Sequence, residues 1–377
     1  MRRGGGNEGL MDAEFVHTFF ARAADWFRRA AAWPGEAWAR RRAARALAEA
    51  EDRRFEEDYA VHYSPGLTKP PDVGRPFFLK PLGRVRGGVV LVHGYMAAPL
   101  EVRALGEQLR GAGFAVYGVR VAGHGTAPED LAEQGVSAWI AAVERGCDVV
   151  AALTDNLAVG GFSMGGCLAL LAASRRPEQV RAVFTICSPL RLRSSSARLA
   201  PSLLGLNAIL KRFGAARPSL EYVDNHPENA HINYTRNPLA GVKELLEVMA
   251  ETGRCLPRIT APALVVQASD DPTVHPDSAP ALFAGLGSTE KELTVFQRAR
   301  HGIVNGDGSA AVHDRVAAFL RQTLVQRPSP GAVLLEKAFP KPESTVDAAS
   351  LTIEADSTPG DEESAEEDEA LHTLPSG

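Results

Sequence analysis

Residues 157–173 read LAVGGFSMGGCLALLAA, a pattern from which the fold of the chain can be inferred. Its first six residues are apolar and predict a buried strand, and its last seven predict a helix. Between the two, residues 161–165 fit the pattern Gly-x-Ser-x-Gly around Ser163. A serine at such a strand-to-helix turn has a strained backbone, and Gly161 and Gly165 leave the room that the turn needs. The pattern predicts Ser163 as a nucleophile at a helix N-terminus, where N–H groups favour negative charge; a glycine-rich packing turn is the alternative.

Short apolar runs alternate with helical patterns on both sides of this turn, over residues 85–326. We predict strands at 88–92, 115–119, 157–162, 182–186, 263–268 and 293–296, and helices at 100–111, 137–153, 164–175, 277–286 and 310–324. This alternation indicates a parallel sheet with crossover helices. It breaks between about Pro189 and Pro257, where we expect a helical lid over the edge of the sheet.

Two further motifs precede the serine. Residues 89–95 read VVLVHGY and residues 120–125 read RVAGHG, each following a predicted strand. With these motifs in this order, residues 85–326 resemble the α/β-hydrolase family, and within it the bacterial carboxylesterases and monoacylglycerol lipases. The resemblance implies an α/β fold with a mostly parallel central sheet flanked by helices. The helical lid insert at about 189–257 is predicted from the break in the alternation, and the N-terminal helical extension lies outside the resemblance.

The resemblance also implies an oxyanion hole. In these families the backbone N–H after His-Gly and the one after the nucleophile bind the oxyanion, and here they belong to Tyr95 and Met164. Both contributions come from the main chain, so the side chains are free to shape an acyl pocket. We interpret His93 and His124 as structural residues that brace their loops.

The acid and the histidine of the resemblance follow the serine in chain order. Residues 264–274, LVVQASDDPTV, supply two adjacent aspartates after a strand. The spacing in the related esterases selects Asp271, and Asp270 would then be a turn residue that bonds nearby backbone.

The histidine is expected after the last strand, where Arg300-His301-Gly302 stands. His275 is too near the acid in sequence, and His313 lies within the last predicted helix. The resemblance therefore implies a catalytic triad of Ser163, Asp271 and His301.

A serine carboxylic ester hydrolase, carboxylesterase-like or lipase-like, is the expected function, with an acyl-enzyme on Ser163. Two alternatives stay open: an acyltransferase to an alcohol or lipid acceptor, and a non-catalytic binding protein of the same fold. We predict no metal, no organic cofactor and a small-molecule or lipid ester as substrate. An apolar cluster in the insert suits an acyl chain, or simply seats the lid on the core: Leu203, Leu204, Leu206, Ile209, Leu210 and Phe213.

The first 84 residues form an N-terminal helical extension in this interpretation. The segment from Phe15 to Trp33 has aromatic residues at helical spacing opposite arginines, which is typical of a helix that lies on a membrane surface or docks on protein. Pro34 and Gly35 are expected to interrupt it before a second helix over residues 36–58. Acidic residues follow the arginines at 40–45 directly, so we predict no nucleic-acid binding.

Composition excludes several classes for the chain of 377 residues. It is 45% hydrophobic and 23% charged with 4 cysteines, which excludes collagen-like, disulfide-scaffold and wholly disordered proteins. Residues 327–377 hold 12 acidic and 3 basic side chains, a local balance of -9. Because the whole chain has a net charge of -5, the other residues carry +4. We predict a disordered acidic tail there.

Location is predicted from the same composition. The sequence has neither a transmembrane stretch nor a secretory signal pattern. Because its cysteines lie far apart in the sequence, we interpret them as reduced, mostly buried thiols. We expect a cytoplasmic protein of unknown oligomeric state, which lies at the inner membrane surface if the segment from Phe15 to Trp33 binds lipid.

Overall fold

A computed structural model describes the backbone of residues 13–193 and 221–326, and the side chains of those ranges from residue 35 onward. Three predictions fall outside the described residues. These are the apolar cluster at 203–213, the acidic tail at 327–377 and the side chains of the segment from Phe15 to Trp33.

A sheet of seven strands forms the centre of the structure, in the order β1-β3-β2-β4-β5-β8-β9. All neighbours are parallel except β1, which pairs antiparallel with β3. A two-stranded antiparallel ribbon, β6 with β7, stands apart from it. The strands are β1 Phe77–Leu79, β2 Gly87–Val92, β3 Phe114–Val119, β4 Leu157–Phe162, β5 Val180–Ile186, β6 Tyr222–Asp224, β7 Arg236–Pro238, β8 Ala263–Ala268 and β9 Lys291–Phe296.

Helices cover both faces of the sheet. They are α1 Ala13–His62, α2 Pro71–Gly74, α3 Arg103–Gly111, α4 Pro128–Glu133, α5 Val136–Ala151, α6 Met164–Arg175, α7 Leu239–Cys255, α8 Ser278–Gly285 and α9 Ser309–Leu320. Short 3-10 turns lie at Pro99–Val102 and Leu256–Arg258, and a π turn at Arg321–Val325 continues α9. The predicted fold class, a mostly parallel sheet flanked by helices, is confirmed.

Side chains alternate between two apolar cores along each central strand. Val90 and Val92 of β2 join the core under α5 and α6, while Val89 and Leu91 join the core under α3 and α9. All four are fully buried. Burial on both faces explains why these strands read as continuous apolar runs rather than alternating ones.

The N-terminal part differs from the expected pair of helices. One helix, α1, spans Ala13–His62 and passes through Pro34. Proline has no backbone N–H, so one hydrogen bond of the helix is lost there, but the turns before and after it stay helical. The division of the chain at residues 84 and 326 stays a prediction; β1, at Phe77–Leu79, already belongs to the sheet.

The second half of α1 packs on the sheet domain. Ala44, Ala48 and Phe55 are buried, and Arg145 Nε of α5 lies 2.7 Å from Glu51 Oε1. The membrane-surface role of the segment from Phe15 to Trp33 stays a prediction. Across the described residues, every helix is too short or too polar to cross a bilayer.

The segment between β5 and β8 is tied to the sheet domain through Tyr234, which is buried. Its backbone N–H donates to Met96 O at 2.9 Å, and its hydroxyl donates to Gly123 O at 3.0 Å. The same hydroxyl accepts the Thr126 N–H at 2.8 Å. This residue therefore links the insert to the loops that follow β2 and β3. The lid role of the insert stays a prediction.

Two glycines in helices give a matched test of how closely α5 packs on β3. A Cβ at Gly146 of α5 would lie 2.4 Å from Val119 Cγ2, whereas one at Gly253 of α7 meets nothing within 4 Å. We expect Gly146→Ala to lower the free energy of unfolding by about 1–3 kcal/mol through overpacking. Gly253→Ala should raise it by about 0.5–1 kcal/mol, because alanine favours the helix. Urea denaturation of both variants checks this, and a Gly146→Ala protein as stable as the wild type contradicts the close packing of α5 on β3.

Candidate active site

The turn after β4 holds Ser163 in a backbone conformation that non-glycine residues rarely adopt, with φ 54° and ψ -123°. Such a conformation costs on the order of 1–3 kcal/mol and persists only where neighbours enforce it. Here the turn is pressed onto the end of β2. A Cβ on Gly161 would lie 2.5 Å from Val92 O, and one on Gly165 would lie 2.2 Å from that oxygen. Both positions therefore require glycine.

A chain of two hydrogen bonds runs from this serine to a buried carboxylate. His301 Nε2 lies 3.0 Å from Ser163 Oγ, and His301 Nδ1 lies 2.7 Å from Asp271 Oδ2. The three side chains follow β4, β8 and β9, whose carboxyl ends share one edge of the sheet. The Phe162 ring packs on the His301 ring with centroids 4.8 Å apart. The structure thus brings together the three residues that the sequence singled out.

Asp271 is 1% exposed and is held by several donors. Its Oδ1 accepts the N–H groups of Thr273 at 2.8 Å and Val274 at 2.9 Å, and its Oδ2 also accepts Gln267 Nε2 at 3.3 Å. Burial by itself would raise the pKa of Asp271, but the bond and charge of His301 and the two amides outweigh it, so the pKa lies below its usual value. An ionised Asp271 accepts the Nδ1–H of His301, which leaves Nε2 free to accept the serine proton.

The competing residues lie elsewhere. Asp270 is exposed and accepts the Ser269 hydroxyl at 3.0 Å, while its N–H donates to Arg298 O. His275 pairs with Asp277 at 3.4 Å. His313 is buried on α9 and bonds Val304 O at 2.8 Å. None of the three side chains reaches Ser163 or Asp271 by a hydrogen bond within the described chain.

His93 joins the loops after β2 and β3. Its Nδ1 bonds Gly94 O at 2.9 Å, and its Nε2 accepts the Val121 N–H at 3.2 Å. It is fully buried, and burial lowers its pKa to about 4, so the ring is neutral. The His124 ring lies beside it with centroids 5.1 Å apart, and burial also lowers the pKa of His124. Both rings brace loops and carry no charge.

The two backbone amides expected to bind an oxyanion flank the serine. Met164 is the first residue of α6, where an N–H has no acceptor within its own helix. Tyr95 follows Gly94, at which an added Cβ would lie 3.4 Å from Ser163 Cβ. The Tyr95 hydroxyl donates to Asn237 Oδ1 at 3.0 Å, so this side chain is engaged with the insert while its N–H belongs to the loop.

A cavity of about 440 Å³ opens in front of Ser163 and His301. One part of its wall is apolar and is formed by Met96, Phe162, Pro189, Leu192, Val242 and Leu245. Another part is polar and is formed mainly by residues of the insert, namely Asn225, His226, Glu228, Asn229, Asn233 and Asn237. A molecule with an apolar chain and a polar head suits such a wall.

Sequence reasoning missed the polar wall and the buried Glu101, which also lines the cavity. One signal was available, since Asn225, Asn229, Asn233 and Asn237 recur every four residues. Glu228 carried no signal, because its contacts depend on the fold: its carboxylate accepts the His301 N–H at 3.3 Å and pairs with Arg300 at 3.4 Å.

One group of side chains at the site has the chemistry of metal ligands. Atoms of Cys187, Asp271 and His301 lie within 4.8 Å of one another. Burial and the charge of Asp271 raise the pKa of the Cys187 thiol well above its usual value, so the sulfur keeps its proton. The imidazole nitrogens are engaged with Asp271 and Ser163. The donor set therefore fits a hydrogen-bond chain better than a metal site.

The fold and this hydrogen-bond chain define a serine hydrolase. Residues 83–307 match the family described as serine aminopeptidase, S33, and the chain belongs to that family. A thermostable monoacylglycerol lipase of Bacillus sp. (strain H-257) is 31% identical over 57% of this chain and 82% of the relative. A carboxylesterase of Bacillus subtilis (strain 168) is 24% identical over 62% of this chain and 92% of the relative.

Solved structures agree with this fold. A structure reported for the metagenome-derived lipolytic enzymes LipS and LipT aligns with a TM-score of 0.58 and 27% identity, over 69% of this chain and 99% of that chain. A monoacylglycerol lipase of Paleococcus ferrophilus aligns with a TM-score of 0.53 and 21% identity, over 66% and 98%, and supports the fold alone. The predicted resemblance and the predicted enzyme class, a serine ester hydrolase, are confirmed.

The adjacent aspartates allow a matched test of the site. We expect Asp271→Asn to lower kcat about 10³- to 10⁴-fold, because an amide no longer fixes the tautomer of His301 or stabilises its charged form. Asp270→Asn changes one exposed neighbour and should leave kcat within about twofold. Steady-state hydrolysis of a p-nitrophenyl ester measures both, and equal losses in the two variants contradict the assignment of the acid to Asp271.

Proposed function

We propose that this protein hydrolyses carboxylic esters that combine an acyl chain with a small, neutral, polar alcohol, as a monoacylglycerol does. The observation that carries the proposal is the hydrogen-bond chain from Asp271 through His301 to Ser163, which ends in a cavity with an apolar and a polar wall. The names of the relatives support an ester as the bond that is cleaved.

Proton transfer by His301 drives the proposed reaction. As Ser163 Oγ forms a bond to the acyl carbon, its proton moves to His301 Nε2, and Asp271 stabilises the imidazolium. The C–O bond to the alcohol then breaks, and the alcohol leaves with that proton. Water next gives a proton to His301 and attacks the acyl-enzyme, after which the acid leaves and Ser163 regains its proton.

The tetrahedral intermediates carry a negative charge on the former carbonyl oxygen. The N–H groups of Tyr95 and Met164 are the proposed donors to it, and each such donor contributes about 3 kcal/mol to the transition state. Both belong to the main chain of segments that packing fixes, so they need no rearrangement as charge develops.

The proposed substrate class follows from the apolar and polar side chains that line the cavity. Leu192, Val242 and Leu245 offer an acyl chain a surface without hydrogen-bonding groups. The asparagine amides of the same cavity can donate to and accept from hydroxyl groups, which suits the alcohol part of the ester. Acyl transfer to an alcohol would use the same acyl-enzyme, with an alcohol in place of water as the acceptor of the acyl group.

Removal of the nucleophile tests the proposed reaction. We expect Ser163→Ala to lower kcat/KM at least about 10³-fold on p-nitrophenyl esters of every acyl length and on a monoacylglycerol, since no acyl-enzyme can form. Ser137→Ala, an exposed serine at the start of α5, is the matched control and should keep the wild-type rate.

The outcomes of this series separate the alternatives. Activity in Ser163→Ala equal to that of the wild type rules out the acyl-enzyme. Wild-type activity on monoacylglycerol no higher than on a simple ester of the same chain length argues against the polar-alcohol class. Added glycerol that diverts most of the acyl group into a new ester identifies an acyltransferase instead.

A further inference from the structure

Glu101 is a buried carboxyl group inside the active-site cavity. It belongs to the 3-10 turn Pro99–Val102 after β2 and is 4% exposed. Its Oε2 accepts the Gly94 N–H at 2.6 Å, and it lines the same cavity as Ser163 and His301. No lysine or arginine of the described chain lines that cavity. A carboxyl group placed there without a cation is costly, which points to a function.

The hydrogen bond from Glu101 acts at the loop that faces the nucleophile. A Cβ added to Gly94 would lie 3.1 Å from Glu101 Oε2 and 3.4 Å from Ser163 Cβ, so Gly94 stands between the carboxyl group and the serine. The next N–H along the chain is that of Tyr95, the proposed oxyanion donor. The bond to Glu101 therefore restrains the residue that leads directly into that donor.

We propose that Glu101 is a positioning residue for the oxyanion hole, which holds the Gly94 N–H and thereby directs the Tyr95 N–H at the substrate carbonyl oxygen. This inference rests on the proposed function of the site. It assigns no bond-making role to Glu101, because the substrate meets the Tyr95 amide and not the carboxyl group.

The protonation of Glu101 makes kcat depend on pH, which a purely structural role of this residue would not do. Burial and the nearby Glu228 raise the pKa of Glu101, and the hydrogen bond from Gly94 lowers it. The net result is a pKa of about 8. The other titratable groups that line the same cavity are Tyr95, His226, Glu228 and His301. The carboxyl group is thus mainly uncharged at pH 7, and above about pH 8 it gains a negative charge close to the oxyanion, which lowers kcat.

Two substitutions separate positioning from charge. Glu101→Gln keeps an oxygen acceptor for Gly94 and has no charge at any pH, so its kcat at pH 7 should stay within about twofold of the wild type. Glu101→Ala removes the acceptor and should lower kcat about tenfold or more with KM changed less than about threefold. Glu107→Gln, at a half-buried glutamate of α3 that does not line the cavity, is the control and should match the wild-type kcat.

The measurement is kcat for a neutral ester between pH 6.5 and 9.5, with thermal unfolding of each variant alongside. The ratio of Glu101→Gln to wild-type kcat should rise at least about threefold between pH 7 and 9.5, because only the wild type gains the charge at residue 101. A ratio that stays flat overturns the proposal, as does a kcat of Glu101→Ala within twofold of the wild type. If Glu101→Ala does not fold, the ratio still decides.

Failure of this inference differs from failure of the proposed function. A wild-type rate in Ser163→Ala removes the acyl-enzyme and with it the oxyanion hole. Loss of activity in Ser163→Ala together with unchanged pH behaviour in Glu101→Gln removes only the role of Glu101.

Discussion

The close contact between the serine turn and the end of β2 is the constraint on which the site depends. Gly161 and Gly165 lie so near Val92 O that no side chain fits at either position. The contact holds Ser163 at φ 54° and brings the loop that begins at His93 against it. One packing contact therefore supplies both the exposed nucleophile and the neighbouring backbone amides that its chemistry requires.

Two buried carboxyl groups at this site have opposite pKa shifts because their surroundings differ. Asp271 accepts two backbone N–H groups and the His301 ring, and its pKa falls below the usual value. Glu101 accepts a single backbone N–H and faces Glu228, and its pKa rises to about 8. Burial raises the pKa of both groups, but only Asp271 has enough donors, together with the charge of His301, to outweigh it, so Asp271 is the carboxyl group that stays charged at neutral pH.

The insert between β5 and β8 completes the cavity from the other side. Tyr234 ties it to the loops after β2 and β3, and Glu228 bonds the backbone of His301. These contacts give the insert a defined position relative to the serine and the histidine. Because the insert supplies asparagines as well as Val242 and Leu245, the same contacts bring both hydrogen-bonding and apolar groups into the cavity.

Apolar runs and glycine spacing were enough to predict the parallel sheet and the serine turn, and the resemblance to the α/β-hydrolases selected the three residues of the hydrogen-bond chain. Apolar runs and glycine spacing are local signals that can be recognised without knowledge of the fold, whereas the order of serine, acid and histidine is known from the family. The folded structure was needed to show that α1 is continuous, that β1 forms one edge of the sheet, and that Glu101 and Glu228 line the cavity. Burial and partners at those positions come from segments far apart in the chain, so no local pattern of residues records them.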